Sequence, residues 1–295
     1  MRLLLLGAQG QVGWELTRAL ASLGEVRALD RTSLDLANLD ALQAVVRSSA
    51  ADVIVNAAAY TNVERAESEK SLALRINGDA PRVLATEAAR SRALLVHYST
   101  DYVFDGTGAR PYVETDSPNP RNVYGSSKLE GDLAVLGSDA DAYIFRVGWV
   151  YGRRGHNFLA TIERLARERE ELRVVADQHG TPTWSRAIAD TTALAIGQWV
   201  AARRADTESP TRGVYHMAAP DFTTWHEFAS TIVAGLTLRD GHKRPVVREI
   251  STSDYPTAAA RPAWTVLDSS RLLGTFGLAL PSWRTQLGLC LDRQG

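Results

Sequence analysis

The sequence contains very little cysteine, which narrows its chemistry. Cys290 is the single cysteine among 295 residues. One thiol cannot form an internal disulfide bond, and no cysteine–histidine cluster has the spacing of a zinc site. We therefore expect a reducing compartment, the cytoplasm, and we commit to no metal site.

An excess of charge of one sign is also absent. The 33 lysines and arginines balance 34 acidic residues, for a formal net charge of −1, so no overall positive field is available to bind nucleic acid or an anionic membrane. The apolar run at residues 3–6 is too short for a signal peptide, and no stretch approaches the roughly 20 apolar residues that span a bilayer. We predict neither nucleic-acid nor membrane partners.

The first half of the chain alternates short apolar runs with helical patterns. The run "LLLLG" precedes a helix predicted to close at Gly24, and "ADVIVNAAA", "LLVHYST" and "AYIFRVGWV" are further apolar strands. Such strands separated by helices predict an α/β fold with a doubly wound, Rossmann-like parallel sheet. Beyond residue 150 the pattern is less regular. We predict a dinucleotide-binding domain, residues 1–150 plus about 183–217, and a second, smaller mixed α/β lobe, about 151–182 plus 218–295.

A glycine-rich loop follows the first predicted strand. Gly7, Gly10 and Gly13 are spaced G-x-x-G-x-x-G between a strand and a helix, the context in which glycines let a backbone turn towards a pyrophosphate. Asp30 ends the second strand, where a carboxylate accepts hydrogen bonds from an adenosine ribose. Asp30 favours NADH, whereas Arg31 could pair with the 2′-phosphate of NADPH. The choice between NADPH and NADH stays open.

A tyrosine and a lysine stand one helical turn apart in "NVYGSSKLEGD". Tyr124 and Lys128 therefore share a helix face, and the lysine is expected to lower the tyrosine pKa, giving a general acid for a carbonyl oxygen. Ser99 and Thr100 end the preceding strand and are candidates to hydrogen-bond the same carbonyl. Alone, the Tyr–Lys spacing is common; its place in a dinucleotide fold makes it specific.

These residues resemble the extended short-chain dehydrogenases/reductases and, among them, the family of dTDP-4-dehydrorhamnose reductases. The resemblance rests on "AYTNVERAE", "STDYVFDG", "VYGSSKLEGD", "RVGWVYG" and "DQHGTPT" and spans nearly the whole chain. It implies that the protein reduces the C4 keto group of dTDP-4-dehydro-β-L-rhamnose with NADPH or NADH. This is the last step in making dTDP-β-L-rhamnose for cell-surface polysaccharide.

The resemblance also implies roles for individual residues. Tyr124 is the implied proton donor, with Lys128 and Thr100 beside it. The implied cofactor contacts, together with the glycine loop and Arg31, are Gln11, Val12, Asp30, Asp35, Leu36, Ala59, Tyr60, Thr61 and Tyr98. The implied substrate contacts are Thr100, Asp101, Trp149 and Asn157. Some members of that family hold Mg²⁺ at a dimer contact through carboxylates. Glu15, Asp190 and Asp292 could serve here, but we commit to no metal.

Other functions remain open at this point. A related nucleotide-sugar reductase or epimerase would share the fold. A non-catalytic regulatory subunit resembling that of methionine adenosyltransferase would also keep the fold and would act by binding a partner enzyme. The segment at 261–272, with Trp264 and Val266, departs from the family pattern and leaves nucleotide selectivity undecided. The oligomeric state, monomer or homodimer, is also open.

Overall fold

The protein consists of alternating strands and helices in the order that the sequence predicts. The computed structural model describes residues 1–236 and 243–292. The strands are β1 (Arg2–Leu6), β2 (Glu25–Leu29), β3 (Val53–Asn56), β4 (Leu94–Thr100), β5 (Asp141–Val147), β6 (Val150–Tyr151), β7 (Glu171–Val175), β8 (His179–Gly180), β9 (Thr183–Trp184), β10 (Gly213–His216), β11 (Thr223–Thr224) and β12 (Val246–Ile250). The helices are α1 (Gln11–Ala19), α2 (Leu39–Ser49), α3 (Val63–Ala66), α4 (Lys70–Leu74), α5 (Ala80–Ser91), α6 (Val123–Leu136), α7 (Phe158–Glu168), α8 (Ser185–Ala205), α9 (Trp225–Gly235), α10 (Ser270–Phe276) and α11 (Trp283–Leu291).

A six-stranded parallel sheet forms the centre of the molecule. Its order is β10-β5-β4-β3-β1-β2, and every strand pair in it is parallel. The order reverses at β1, since the chain first steps outward to β2 and then returns to β3 on the other side. Open α/β sheets bind ligands outside the carboxyl ends of the strands at such a reversal. The predicted fold class is confirmed.

Both faces of the sheet are covered, as the continuous apolar strands require. On β1, Leu3 and Leu5 point into a cluster formed with α1 and α8, whereas Leu4 and Leu6 point into a cluster formed with α2 and α5. The first helix is shorter than expected, ending at Ala19 instead of Gly24. Gly24 serves the turn into β2 and not the helix end, because a Cβ there would lie 2.1 Å from the Met1 carbonyl oxygen.

A third buried cluster lies apart from the large sheet. Tyr151, Leu159, Phe228 and Trp283 pack together there, and short ladders join β12 to β7, β11 to β8 and β6 to β9. The segment from α10 to Leu280, assigned above to the second lobe, instead packs on the sheet cluster. The predicted lobe also includes residues 237–242 and 293–295, which lie outside the described residues. Within residues 1–236 and 243–292, none of the helices has the length and apolar character needed to cross a membrane.

Candidate active site

A cleft of about 680 Å³ opens at the carboxyl ends of β1, β2, β3 and β4. Its position is the one expected from the reversal of strand order. Every candidate site residue from the sequence lines it except Gly13. These lining residues are Gly7, Gly10, Gln11, Val12, Asp30, Arg31, Asp35, Leu36, Ala59, Tyr60, Thr61, Tyr98, Thr100, Asp101, Tyr124, Lys128, Trp149 and Asn157.

The glycine loop forms one end of the cleft. Gly7 has φ +86°, and a Cβ there would lie 2.7 Å from the Ala58 backbone nitrogen. A Cβ at Gly13 would lie 2.0 Å from the Gly7 carbonyl oxygen, so α1 reaches the loop only because this residue is glycine. Gly13 therefore shapes the cleft from beneath without lining it. Helix α1 begins at Gln11, and its N-terminal dipole and backbone N–H groups favour a bound phosphate.

Asp30 lies at the edge of the cleft, just after β2. Its Oδ1 accepts hydrogen bonds from the Thr32 hydroxyl at 2.7 Å, the Ser33 hydroxyl at 2.8 Å and the Ser33 backbone N–H at 3.0 Å. These bonds lower the pKa of the Asp30 carboxyl to about 2, and the bond from Thr32 has the largest effect. The carboxylate is therefore charged and fixed in orientation, and Oδ2 stays available to a ribose hydroxyl. Arg31 lines the cleft beside it.

Thr100 and Tyr124 meet on the opposite wall. Thr100 ends β4, and Tyr124 is the second residue of α6, which is capped by the Asn122 side chain accepting from the Gly125 N–H at 2.8 Å. A Cβ at Gly125 would lie 2.1 Å from the Tyr102 carbonyl oxygen. This glycine therefore lets the first turn of α6 approach the segment after β4, which places the Tyr124 ring in the cleft.

Lys128 lies one turn further along α6 and is buried. Its Nζ donates to the Tyr98 carbonyl oxygen at 2.5 Å and lies 3.3 Å from His97 Nε2. Burial lowers the pKa of Lys128 to about 8, and Asp132 opposes that change. Tyr98 itself contributes its backbone to this contact, because its hydroxyl points away to Thr192, 2.6 Å distant.

The expected lowering of the Tyr124 pKa was wrong. Burial raises the pKa of Tyr124, the Thr100 hydroxyl opposes this rise, and the nearby Asp101 carboxyl adds to it. The sequence argument counted the lysine but not the burial of the phenol, which disfavours the charged phenolate. Tyr124 is consequently a neutral phenol at physiological pH, which is the form that donates a proton.

Ser99 and Asp101 take different positions on either side of Thr100. The Ser99 hydroxyl faces Asp132, so of the two hydroxyls proposed for the carbonyl only that of Thr100 stands beside Tyr124. Asp101 is buried, and its Oδ1 accepts from the Thr100 hydroxyl at 3.0 Å. Burial raises the pKa of Asp101 to about 7, although the hydroxyls of Thr265 and Thr100 oppose this.

Trp149 extends into the cleft from the segment between β5 and β6. Its backbone has φ +45°, which is rare for a bulky residue. Its ring lies parallel to that of Trp225, with centroids 3.4 Å apart, and a Cβ at Gly180 would lie 2.3 Å from the Trp149 ring. Trp149 is thus a partly exposed residue of the site and not part of a buried core.

Asn157 links the start of α7 to the start of α1. Its Nδ2 donates to Gln11 Oε1 at 2.9 Å, and its Oδ1 accepts from the Ala160 N–H at 3.0 Å, which caps α7. The residue therefore has a structural role as a cap as well as a place on the cleft.

Several residues that line the cleft were not singled out from the sequence. Trp225 and Tyr102 belong to this group, and Arg261 lies in the quoted segment at 261–272 without having been chosen. Arg261 pairs with Glu64 and donates to the Tyr102 hydroxyl at 3.1 Å. Its place in the stretch "PTAAARPAW" carries no spacing signal that could have identified it.

The candidate magnesium ligands do not gather into a site of their own. Arg186 lies between Glu15 and Asp190, at 3.5 and 2.9 Å. Across the described part of the chain, no three His, Cys, Asp or Glu side chains come together as a metal ion would require.

Comparisons with known proteins identify the family. A family model described as the RmlD substrate binding domain matches residues 1–295. The protein is 49% identical to the dTDP-4-dehydrorhamnose reductase of Burkholderia thailandensis, over 99% of this chain and 98% of the relative. It is 43% identical to that of Escherichia coli K12, over 96% and 95% of the two chains.

Solved structures give the same result. The dTDP-4-dehydrorhamnose reductase of Bacillus anthracis in complex with NADP has a TM-score of 0.85 and 34% identity, with 98% of each chain covered. The Thermus thermophilus UDP-glucose 4-epimerase in complex with NAD has a TM-score of 0.80 at 19% identity, over 99% and 98% of the chains, and shows a shared fold. The chain belongs to the family of dTDP-4-dehydrorhamnose reductases.

Proposed function

We propose that this protein reduces the C4 keto group of dTDP-4-dehydro-β-L-rhamnose with NADPH or NADH, giving dTDP-β-L-rhamnose, the last step of dTDP-rhamnose biosynthesis. The observation that carries the proposal is the arrangement of Thr100, Tyr124 and Lys128 on one wall of a cleft that ends at the glycine loop. Names and sequences of the relatives support the substrate, since identity extends over nearly the full length of the chain.

The residues present fit a nicotinamide dinucleotide. A Cβ at Gly7 or Gly13 would overlap neighbouring backbone, so only glycines there allow the loop to pack closely beside the N-terminus of α1, where a pyrophosphate is favoured. The charged Asp30 carboxylate and the adjacent Arg31 line the cleft, where they would contact the adenosine ribose. The NADP complex of the Bacillus anthracis relative supports the same assignment. The residues that would hold the cofactor are Gly7, Gly10, Gln11, Val12, Asp30, Arg31, Asp35, Leu36, Ala59, Tyr60, Thr61 and Tyr98.

Proton transfer is the task of Tyr124. When bound, the nicotinamide supplies the hydride that reaches C4 of the sugar. The neutral Tyr124 phenol then gives its proton to the carbonyl oxygen, as a general acid does. The Thr100 hydroxyl donates to Asp101 in the structure and can rotate to donate to the same oxygen, which stabilises developing negative charge. Lys128 lies beside Tyr124 to stabilise the phenolate that remains.

The sugar is positioned by the residues around Trp149. An indole packs well on the apolar face of a sugar ring, and Trp225 supports the Trp149 ring from behind. Asp101 and Asn157 are the proposed polar contacts. Holding the ring in one orientation is what brings C4 close to the hydride donor and to Tyr124.

An absorbance assay at 340 nm tests the proposal. The substrate is generated in situ, NADPH or NADH is added in separate reactions, and the sugar nucleotide formed is identified by mass spectrometry. We expect stoichiometric cofactor oxidation in wild type. In Tyr124→Phe, we expect the rate of oxidation to fall by about 10²–10⁴-fold. The matched control is Tyr143→Phe, which removes a buried hydroxyl bonded to the Pro210 carbonyl oxygen outside the cleft and should stay close to wild type.

Three outcomes would count against the proposal. A folded protein that binds cofactor but oxidises none refutes the reductase assignment. An isomerised or dehydrated nucleotide sugar formed without net cofactor consumption indicates an epimerase or dehydratase. Capture of a partner enzyme that persists in Tyr124→Phe, without turnover, indicates a regulatory subunit.

Further predictions about the whole molecule accompany this function. We infer the two-lobe division given above, except that the segment from α10 to Leu280 belongs with the sheet on which it packs, and we place the cleft between a cofactor part and a nucleotide-sugar part. We also infer a cytoplasmic location, where the sugar nucleotide and reduced cofactor are available, and a monomer or homodimer. Limited proteolysis, cell fractionation and sedimentation analysis test these three points.

A further inference from the structure

Behind Lys128 runs a chain of buried polar groups to which the proposed mechanism gives no role. Asn56 ends β3 and His97 lies on β4, both almost fully buried. Asn56 Nδ2 is 3.1 Å from His97 Nδ1, and His97 Nε2 is 3.3 Å from Lys128 Nζ. The imidazole therefore lies between an amide and the ammonium group.

The hydrogen bonds determine which imidazole nitrogen carries the proton. Asn56 Oδ1 accepts from the Ala58 backbone N–H at 3.3 Å, which directs the Asn56 NH₂ group towards His97. A neutral imidazole has one donor and one acceptor nitrogen. Because Nδ1 must accept from the Asn56 amide, the proton lies on Nε2 and points at Lys128. Burial keeps the pKa of His97 well below its usual range, so the ring is neutral.

An N–H group facing Lys128 Nζ favours an amine with a free lone pair over an ammonium group. The neutral amine can accept from His97 Nε2–H while it donates to the Tyr98 carbonyl oxygen. An ammonium group has three donors and no acceptor, and it would face the imidazole N–H unfavourably.

The remaining groups around Lys128 do not cancel this effect. On α6, Asp132 favours the ammonium form, but its Oδ2 lies 3.1 Å from Arg146 Nε on β5 and is paired there. Ser99 on β4 faces Asp132, and Tyr124 is neutral. Lys128 therefore lies between one paired carboxylate and one imidazole donor.

We propose that His97, held by Asn56 with its proton on Nε2, is a positioning residue that stabilises the neutral amine of Lys128. This rests on the proposed function for its purpose. After Tyr124 has given its proton to the sugar oxygen, the phenolate must regain one. The ammonium form of Lys128, which is populated below its pKa of about 8, gives that proton and becomes the neutral amine that His97 stabilises. Lys128 would then recover a proton from solvent.

The chain is well suited to a direct test in the free protein. It contains three lysines, Lys70, Lys128 and Lys243. Lysine labelled with ¹³C at Cε therefore gives three NMR signals, assigned with Lys70→Arg and Lys243→Arg. We expect the Lys128 signal to titrate near pH 8 and its midpoint to rise by at least about one pH unit in His97→Gln, because the amide oxygen can turn to accept from the ammonium.

The matched control is His216→Gln, which changes another buried neutral histidine whose Nδ1 faces the Tyr112 carbonyl oxygen, 3.0 Å away. It should leave the Lys128 midpoint unchanged. Long-range ¹H–¹⁵N spectra of wild type should also place the His97 proton on Nε2. If His97→Gln does not fold, Asn56→Leu frees the imidazole to move its proton to Nδ1 and should raise the midpoint likewise.

An unchanged or lower Lys128 midpoint in these variants, or a His97 proton on Nδ1 in wild type, would overturn the inference. Because the titration uses protein without cofactor or substrate, its result is independent of the 340 nm assay. If the reductase assignment holds, the pH profile of kcat should move in the same direction in His97→Gln. A purely structural role would lower kcat without moving the profile.

Discussion

Burial of the Asp101 carboxyl should make the free energy of unfolding depend on pH. In an unfolded chain its carboxyl titrates at about 3.8, whereas burial raises the pKa in the folded protein to about 7. The folded state therefore holds a proton that the unfolded state has released between these pH values. Stability falls as the pH rises through this window, because the folded protein must ionise a buried carboxyl or keep an unfavourable proton.

The size of the effect follows from that rise. A pKa of about 7 against 3.8 corresponds to up to about 4 kcal/mol above pH 7. Asp101→Asn is nearly isosteric and has no charge to bury. We compare the free energy of unfolding of the variant with that of wild type. As the pH rises from 5 to 8, we expect this difference to change by about 2–3 kcal/mol in favour of the variant.

Urea unfolding followed by tryptophan fluorescence at fixed ionic strength measures this difference. Asp132→Asn is the contrasting variant: burial raises the pKa of Asp132 too, but its removal leaves the buried Arg146 guanidinium without its partner. We expect that variant to lose about 3–5 kcal/mol across the pH range. A difference between Asp101→Asn and wild type that is independent of pH would refute the reasoning.

Two further substitutions, together with one control substitution in α10, test the shape of the cleft. Gly13→Ala places a Cβ 2.0 Å from the Gly7 carbonyl oxygen and should cost about 1–3 kcal/mol, with weaker cofactor binding by fluorescence titration. Gly274→Ala, in α10 with nothing within 4 Å, should instead stabilise by up to about 1 kcal/mol; equal effects would contradict the packing argument. Trp225→Leu removes the ring stacked on Trp149 and should raise the KM for the sugar nucleotide by about tenfold or less, and an unchanged KM would exclude a supporting role.

The sequence was sufficient where local spacing determines geometry. The glycine loop, Asp30 at the end of β2 and the Tyr124–Lys128 spacing each depend on a few consecutive residues and one flanking element. The strand order brings them to the same edge of the sheet, and all but Gly13 line the cleft. Gly13, expected among the cofactor contacts, has a packing role instead, since its Cβ position is occupied by the Gly7 backbone.

The sequence was insufficient where chemistry depends on burial and on contacts between distant segments. The Tyr124 pKa rises because the phenol is enclosed by elements far away in the chain, which helix spacing does not report. The contact of Trp225 with Trp149 joins α9 to the segment after β5. The sequence pattern of neither segment predicts that the two rings meet.

Lys128 shows how these two kinds of information combine. Helix spacing places it beside Tyr124, and from that alone it was expected to be a simple positive charge. Its surroundings change this, because the lysine is buried, donates to the Tyr98 carbonyl oxygen and faces an imidazole N–H. A residue whose pKa is brought to about 8 exchanges protons readily near neutral pH. The same side chain can therefore stabilise a phenolate when protonated and return a proton afterwards, which a fully exposed lysine, with its higher pKa, would do less readily.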